Sequence, residues 1–327
     1  MPPMPLVIDC DPGIDDALAL LLAAASPELE LLGVTCVAGN RPVDVTSDNA
    51  CRVLDLAGRG DVPVHRGCER PLAYGDARVN LVHREDGLGG VPLPRTRAPA
   101  APHAIDFLEQ ALSGEPGQVT LVAVGPLTNL ALAEIRRPGL LRRARRVLLM
   151  GGAAFCPGNV TPSAEFNFYA DALAAHTVLS AGASLSVFGL DVTRQIRLTP
   201  QWIRSLADLG NRCGPAASAM LQGYARPVPQ LHDACPIAWL LAPALFTLEP
   251  CLVAVDARPG LTEGYLWARR LPTTGPAGTS PAGVCTRIDA QGLLAPELRI
   301  DTAHCTPEQA ASAVLARLVE SGFAQKL

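Results

Sequence analysis

The sequence predicts an α/β protein built on one open, mostly parallel, Rossmann-like sheet that is flanked by helices. Short apolar runs such as 6–8, 119–124 and 185–188 have the length and composition of buried parallel strands. Segments with helical periodicity alternate with these runs, which is typical of a parallel sheet with crossover helices. No repeat or linker interrupts the 327 residues, so we expect a single domain over 1–327.

The elements follow one another in a regular order along the chain. Apolar runs predict strands at 6–8, 29–37, 62–65, 119–124, 147–150, 185–188 and 251–255. Periodic segments predict helices over 15–25, 43–56, 103–112, 171–180, 200–209, 215–224 and 237–245. A final helix over 306–321 is predicted by Thr306, Pro307 and Gln309, which suit an N-cap, the first helical position and a capping box. Residues 67–102 predict a long irregular connection, and about 256–300 an irregular, divergent segment, because both are rich in Pro and Gly.

Composition excludes several classes of function. A formal charge of −4, with no basic cluster except 142–146, argues against a nucleic-acid partner. Lys326 is the single lysine, which excludes a Gly-Lys-Ser/Thr phosphate loop and an internal Schiff-base lysine. The ten cysteines form no CxxC pair and are typical of reduced thiols. No signal peptide is evident, and no apolar run reaches the roughly 18 residues that span a membrane. We therefore expect a cytoplasmic protein without a membrane partner.

Four aspartates converge at the end of the first predicted strand. Asp9, Asp11, Asp15 and Asp16 lie within eight residues, on either side of a Pro-Gly turn. In an open α/β sheet, ligands bind at the carboxyl ends of the strands. Helix capping and a solvated turn explain one or two of these carboxylates. Four carboxylates in one crevice repel each other unless some are protonated or a cation lies among them, so the stretch predicts a cation site.

Further polar side chains follow the later predicted strands. The segment that contains Asn159, Glu165 and Asn167 offers mixed hydrogen-bond donors and acceptors, which suit a polyhydroxylated sugar; a decorative polar loop is the alternative. Two glycines at 151–152 allow a ligand to approach the backbone closely. His232 and Asp233 precede an apolar helix, which places both polar groups at its N-terminal end.

The stretch Asp9-Cys10-Asp11-Pro12-Gly13-Ile14-Asp15-Asp16-Ala17 resembles the N-terminal signature of the inosine-uridine-preferring nucleoside hydrolases. Later segments are similar to that family in the same order, and together they cover roughly residues 5–255. The resemblance implies one nucleoside hydrolase domain that hydrolyses the N-glycosidic bond of ribonucleosides to free base and ribose. It also implies a Ca²⁺ cofactor and assembly into homodimers or homotetramers.

The resemblance also implies roles for the residues at matching positions. The metal would be held by the carboxylates of Asp11, Asp16 and Asp233 and by the backbone carbonyl of Val124. The substrate would be contacted by Asp15, Asn40, Met150, Asn159, Glu165 and Asn167. Asp11 would take a proton from the attacking water, and His232 would protonate the departing base. His83 is a further catalytic candidate; because Arg84 stands where the family usually has glycine, a surface position for His83 is equally open.

Other polar and aromatic residues receive structural assignments. We expect Thr128 or Asn129 to cap the helix that follows the fourth strand, and Asp191 to hold neighbouring loops together. Tyr224 is assigned to the core face of a helix rather than to a position over the base. The preference for purine or pyrimidine depends on 67–102 and 223–231, which resemble the family least.

Two alternatives remain at the level of sequence. A haloacid-dehalogenase-like phosphatase also begins with a strand and Asp-x-Asp; it would need Asp9 as nucleophile and a basic residue, usually lysine, to stabilise phosphate. The second alternative is a non-catalytic, calcium-dependent protein that binds nucleosides or sugars.

Overall fold

The computed structural model describes residues 2–73, 77–225, 229–271 and 275–295. Within these ranges nine strands form one sheet in the order β3-β2-β1-β4-β5-β6-β9-β7-β8. The strands are β1 Met4–Cys10, β2 Leu29–Cys36, β3 Val64–Arg66, β4 Thr120–Ala123, β5 Arg146–Met150, β6 Leu185–Phe188, β7 Phe246–Val255, β8 Leu266–Arg270 and β9 Ser280–Ile288. Along the sheet the pairings from β3 to β9 are parallel, and β7 runs antiparallel to β8 and β9. The predicted fold class is confirmed.

Helices connect the strands and cover the sheet. They are α1 Ile14–Ala25, α2 Val43–Leu56, α3 Ala104–Ala111, α4 Thr128–Arg136, α5 Phe166–Ala170, α6 Ala172–Ser180, α7 Leu190–Thr193, α8 Pro200–Ser205, α9 Cys213–Gln222, α10 Ala234–Leu241 and α11 Ala290–Leu294. Short 3₁₀ helices lie at Leu81–His83, Leu141–Arg143 and Pro243–Leu245. None of the helices in the described ranges is long and apolar enough to cross a membrane.

The apolar core is divided into two layers by the sheet. Because successive side chains of a strand point to opposite faces, Leu6 and Ile8 of β1 join one apolar cluster and Val7 joins the other. The first cluster contains buried residues of α1, α2, α9 and α10, and the second contains residues of α3, α4 and α6. Helices therefore cover both faces, and ligand access is left to the edge where the strands end.

The strand order creates a crevice beside β1. The chain passes from β1 to β2 and β3 on one side, and then crosses to β4, β5 and β6 on the other. At such a switch point the loops that follow the two central strands diverge, which opens a ligand-binding crevice at their carboxyl ends. The acidic loop after β1 and the loop after β4 both lie at this point, so the topology places them together.

The prediction of irregular structure over about 256–300 is wrong for 266–270 and 280–288, which form strands β8 and β9. β9 pairs with both β6 and β7, so it joins the antiparallel end of the sheet to the parallel part, and β8 pairs with β7. The buried residues Ala282 and Val284 alternate with Gly283 as a strand requires, although Pro281 and Gly283 are more typical of loops. Pro281 pairs with β7, and pairing with β6 begins at Gly283. The predicted helix over 306–321 lies outside the described residues.

The irregular connection expected at 67–102 is present among the described residues of that range. It contains the 3₁₀ turn Leu81–His83 and a bridge between Ala100 and His65. The predicted helix 43–56 and strand 185–188 agree with the structure residue for residue. Helix α8 is shorter than predicted, and α10 begins and ends earlier than predicted.

Candidate active site

The loops at the carboxyl edge of the sheet surround an open pocket of about 390 Å³. Ten of the twelve predicted site residues line it: Asp15, Asn40, His83, Val124, Met150, Asn159, Glu165, Asn167, His232 and Asp233. The other two, Asp11 and Asp16, are close to the lining residues and are 1% and 0% exposed. Residues that lie far apart in the sequence are therefore brought to one place.

Buried carboxylates gather at one side of this pocket. Asp15, Asp16 and Asp233 each offer an oxygen that lies within 4.8 Å of the others. Burial, reinforced by the charge of Asp15, raises the pKa of Asp16 to about 6. Burial, followed by repulsion from neighbouring aspartates, also holds the pKa values of Asp11 and Asp233 well above the usual carboxyl range. The cluster therefore retains protons, or ionises fully once a cation neutralises it.

Asp11 is held next to this group by the backbone around it. Its Oδ2 accepts a hydrogen bond from the backbone N–H of Asn40, whereas its buried Oδ1 has no hydrogen-bond partner among the described residues. A Cβ at Gly39 would overlap Oδ2, and a Cβ at Gly125 would lie 2.5 Å from Oδ1. Only glycine at these two positions leaves room for the carboxylate.

Asp16 combines a local role with its place in the cluster. Its Oδ1 accepts from the backbone N–H of Asp11 at 3.1 Å, and its Oδ2 accepts from that of Gly13 at 2.9 Å, as part of a capping box for α1. The side-chain amide of Asn40 donates to the same Oδ2 at 3.1 Å. Helix capping was expected to explain one or two of these aspartates, and it explains Asp16. It does not explain Asp11, Asp15 or Asp233.

The donor set fits a hard divalent cation. A buried carboxylate oxygen without a partner costs free energy unless a positive charge approaches it, and Asp11 Oδ1 is such an atom. The close group of carboxylate oxygens consists of Asp15, Asp16 and Asp233, and the residue Val124, whose carbonyl was predicted as a ligand, lines the same pocket. Asp11 was predicted as a ligand but is not part of this close group. The Val124 carbonyl accepts from Asn167 Nδ2 at 2.8 Å and keeps a second lone pair. Oxygen ligands of this kind suit calcium or magnesium, whereas zinc prefers sulfur and nitrogen.

The polar loop after β5 is fixed by its own hydrogen bonds. Glu165 accepts from the backbone N–H groups of Gly152 at 2.8 Å and Asn167 at 2.9 Å, and burial raises its pKa to about 7. Asn159 Oδ1 accepts from the N–H of Phe166 at 3.0 Å, and Asn167 Nδ2 also donates to the carbonyl of Met150 at 3.0 Å. The loop is therefore ordered before any ligand arrives and presents polar groups to the pocket.

His83 lies in the pocket rather than on the surface, and it is 3% exposed. Its Nδ1 accepts a hydrogen bond from the N–H of Ile14 at 3.1 Å, and its Nε2 lies 3.7 Å from Asp15 Oδ1. Arg84 reaches this geometry by adopting a φ of 62°, the left-handed conformation in which glycine is favoured. The Arg84 guanidinium donates to the carbonyl of Gly223 at 2.9 Å, which helps to hold the turn.

His232 lines the pocket from the loop before α10, two residues before that helix begins. It is 7% exposed, and its Nδ1 lies 2.8 Å from Thr193 Oγ1. Asp233, the next residue, belongs to the carboxylate cluster. The two residues therefore place an imidazole next to the predicted cation site, on the pocket wall.

Four further lining residues were not predicted as site residues: Asn80, Val82, Phe166 and Tyr224. Phe166 lies between the predicted residues Glu165 and Asn167, and Asn80 and Val82 lie within three residues of His83. Their closeness in sequence to predicted site residues is the signal that would have indicated these three. Tyr224 follows α9 instead of lying on its face, and its ring meets that of His83 edge-on at 5.2 Å between centroids. The assignment of Tyr224 to a helix face is therefore wrong, although the residue does contact the apolar core.

The assignment of Thr128 and Asn129 as caps is also wrong, because neither side chain caps α4. Asn129 Nδ2 donates to Asp9 Oδ2 at 2.7 Å and to the carbonyl of Cys36 at 3.0 Å, which ties the ends of β1 and β2 together. Thr128 donates to Asp171 at 2.7 Å. The structural role of Asp191 is confirmed: it accepts from the backbone N–H groups of Ala154 and Phe155 at 2.8 and 2.7 Å.

Comparison with known proteins gives a consistent result. The model of the family described as inosine-uridine preferring nucleoside hydrolase matches residues 6–295, which extends well beyond the part for which the sequence itself indicated a resemblance. The chain is 39% identical over 308 residues to the pyrimidine-specific ribonucleoside hydrolase RihA of a Shewanella species, with 91% of this chain and 95% of that protein covered. It is 41% identical over 266 residues to the non-specific ribonucleoside hydrolase RihC of Escherichia coli, with 80% and 86% covered. The solved structure of a plant nucleoside hydrolase, PpNRh1, superposes with a TM-score of 0.84 at 31% identity, covering 97% of this chain and 99% of that one.

The contact between Gly39 and Asp11 provides a test of the site geometry. Gly39→Ala should displace the Asp11 carboxylate and lower the catalytic rate by about 10²-fold, the usual cost of a misplacement of about 1 Å. Gly114→Ala is the matched control, because a Cβ at that glycine meets nothing within 4 Å. The rates of both variants are compared under saturating substrate, with thermal unfolding as a check of folding. Equal rates for Gly39→Ala and the wild type would contradict the placement of Asp11.

Proposed function

The chain belongs to the inosine-uridine preferring nucleoside hydrolase family and is a nucleoside N-ribosyl hydrolase, and on that premise we propose that its catalysis depends on calcium. The observation that carries the proposal is the buried cluster of Asp11, Asp15, Asp16 and Asp233 at the carboxyl edge of the sheet, beside two imidazoles. Asp15 and Asp233 line the pocket that also contains the polar loop after β5, and Asp11 and Asp16 lie behind them, hydrogen-bonded to the lining residue Asn40. A cation and a sugar would therefore meet in one place.

The cation would be held by the carboxylates of Asp11, Asp16 and Asp233 and by the carbonyl of Val124. When bound, calcium supplies positive charge that stabilises the ionised cluster and that polarises oxygen atoms of the substrate and of water. Asp15 belongs to the same group of close oxygens, so it is able to contact either the ion or the ribose. Among the described residues the close group of possible ligands consists of carboxylates, which favour calcium over zinc.

Asp11 is proposed to be the general base. Its Oδ1 is buried and has no hydrogen-bond partner among the described residues, so this oxygen is available to accept a proton from an attacking water. Without a cation, burial and Asp16 hold the pKa of Asp11 above the usual carboxyl range, and a bound cation would favour the ionised form that can accept a proton. A proton taken by Asp11 leaves the water oxygen able to attack C1′ of the ribose.

Ribose binding is assigned to Asp15, Asn40, Met150, Asn159, Glu165 and Asn167. Hydrogen bonds to the protein backbone already orient several of these side chains, for example Asn159 to Phe166 and Glu165 to Gly152. Groups that are fixed in advance cost little reorganisation when the sugar flattens and acquires oxocarbenium character. Contacts to the sugar hydroxyls would strengthen in that transition state and so accelerate cleavage.

His232 is proposed to protonate the departing base, since a purine or pyrimidine leaves poorly as an anion. A general acid of this kind contributes about 10²–10⁴-fold to the rate. His83 is the second candidate, because it also lies in the pocket and contacts Tyr224. The calcium ion as the native metal and assembly into homodimers or homotetramers stay predictions that rest on the family resemblance. The single domain and a cytoplasmic location stay predictions that rest on the sequence pattern.

A phosphatase mechanism has little support from the geometry. It would require Asp9 as nucleophile, but Asp9 Oδ2 accepts from Thr35 at 2.6 Å and from Asn129 at 2.7 Å, and Asp9 is 2% exposed. The pocket would also suit a non-catalytic nucleoside-binding protein, but no observation favours that alternative over the hydrolase. Turnover distinguishes it from the hydrolase.

Release of ribose tests the proposed function. Metal-depleted protein should release no reducing sugar from inosine, uridine, cytidine or adenosine, and added calcium should restore release from at least one of them. The 2′-deoxynucleosides should be very poor substrates, because they lack a hydroxyl that the pocket would bind. Full activity in the presence of a chelator would contradict the calcium dependence, and nucleoside binding without sugar release would favour the binding protein.

Replacement of the proposed base gives a sharper test. Asp11→Asn keeps the shape of the side chain but removes its charge, so the rate of hydrolysis should fall by at least about 10²–10⁴-fold. Asp61→Asn is the control, because Asp61 forms a surface ion pair with Arg59, and its activity should equal that of the wild type. Both variants are assayed in saturating calcium, and bound metal is measured separately. Near-normal turnover of Asp11→Asn would exclude Asp11 as the base.

A further inference from the structure

Thr193 is a buried residue of the segment after β6 to which the proposed reaction gives no role. It ends the short helix α7 and is 0% exposed. In this segment the sequence predicts a role only for Asp191, which holds neighbouring loops together. A buried hydroxyl needs a hydrogen-bond partner, and Thr193 Oγ1 has one in His232 Nδ1, at 2.8 Å.

The backbone around Thr193 is fixed on the side of β5. Leu190 donates its N–H to the carbonyl of Gly152 at 2.9 Å, and both carboxylate oxygens of Asp191 accept from backbone N–H groups of the loop after β5. The N–H of Thr193 donates to the carbonyl of Gly189 at 3.2 Å. Thr193 is thus held by backbone contacts to the loop after β5.

The segment of His232 is joined to the residues after Thr193 through its backbone. Arg197 forms an antiparallel bridge with Gln230, and the N–H of Leu198 donates to the carbonyl of Pro229 at 3.3 Å. On the other side of the histidine, the N–H of Cys235 donates to the carbonyl of His232 at 3.2 Å. These bonds fix the position of the main chain of His232. They do not fix the orientation of its ring, because the χ2 torsion of histidine has a broad energy minimum, so side-chain contacts determine that orientation.

From this geometry we propose that Thr193 is a positioning residue, whose hydroxyl holds the imidazole of His232 in the orientation that delivers a proton from Nε2 to the departing base. The inference rests on the proposed role of His232. Because Nδ1 is engaged by Thr193, a proton that passes to a base in the pocket leaves from the other ring nitrogen. The N-glycosidic bond breaks, its electron pair goes to the base nitrogen, and that nitrogen gains the proton from Nε2.

Loss of this hydrogen bond should slow protonation of the departing base and leave binding of the sugar unchanged. Thr193→Val keeps the shape of the side chain but has no hydroxyl, so the ring of His232 would turn more freely. We expect the kcat for inosine or uridine to fall by about 10- to 10²-fold, a part of the factor that a general acid contributes, with little change in KM. Cleavage of p-nitrophenyl riboside should stay close to the wild-type rate, because p-nitrophenolate leaves without a proton. Thr193→Ser retains the hydroxyl and should restore nucleoside hydrolysis.

Two controls separate positioning from a general loss of structure. Thr46→Val removes another fully buried hydroxyl, which donates only to backbone carbonyls of Val37 and Val43, and its activity on both substrates should equal that of the wild type. In a His232→Ala background, Thr193→Val should cause no further loss, because the residue acts through the imidazole. Thermal unfolding of each variant checks folding, and Thr193→Ala replaces Thr193→Val if the valine is not accommodated.

The outcomes are distinct. An equal loss on nucleosides and on p-nitrophenyl riboside, or a further loss in the His232→Ala background, would overturn the inference, as would a Thr193→Val variant with unchanged activity on nucleosides. A wild-type protein that releases ribose from no nucleoside would overturn the proposed function and this inference with it. An active wild type with an insensitive Thr193→Val variant would overturn the inference alone.

Discussion

Mutual repulsion among buried carboxylates is the constraint on which the rest of this site depends. Asp11, Asp15, Asp16 and Asp233 are all less than 5% exposed, and at least three of them have carboxyl pKa values raised by burial. Such a cluster stores unfavourable free energy unless protons or a cation neutralise it. Glycine at positions 39 and 125 makes room for it, and backbone N–H groups of the acidic loop stabilise part of the charge. The fold therefore holds negative charge in place for a ligand of opposite sign.

Pre-organisation extends from the carboxylates to the polar loop and the two histidines. Glu165 and Asn167 bind backbone groups as well as facing the pocket, so substrate groups meet side chains that are already oriented. At His83 the protein accepts a left-handed conformation of Arg84, at a cost of about 1–3 kcal/mol for such strain. The hydrogen bond from Arg84 to Gly223 offsets part of this cost and links the His83 turn to the region of Tyr224. The strained backbone of Arg84 therefore helps to hold the imidazole of His83 in the pocket.

The features that the sequence predicts correctly are determined by residues close to one another in the chain. The β–α alternation and the acidic loop after β1 are visible because apolar periodicity, Pro-Gly turns and neighbouring aspartates act within a few residues. The sequence does not indicate strand β9, because Pro281 and Gly283 are unfavourable in most strands and the pairing partners in β6 and β7 are distant in sequence. The partners of Asn129 and of His232 are more than 30 residues distant in sequence, so no local pattern indicates them. Tertiary structure, and not propensity, determines those contacts.

The stability of metal-free protein as a function of pH tests the role of the cluster most directly. Folding raises the pKa of Asp16 from 3.8 to about 6 and that of Glu165 from 4.5 to about 7, so the folded chain retains protons that the unfolded chain has lost. The stability that these groups contribute is fully present below about pH 4 and is lost as the pH rises through about 6 to 7. Thermal unfolding in a chelator should therefore show a falling Tm across that window, and added calcium should raise the Tm most at the upper end. A Tm that does not change between pH 5 and pH 8, with or without about millimolar calcium, would contradict the account.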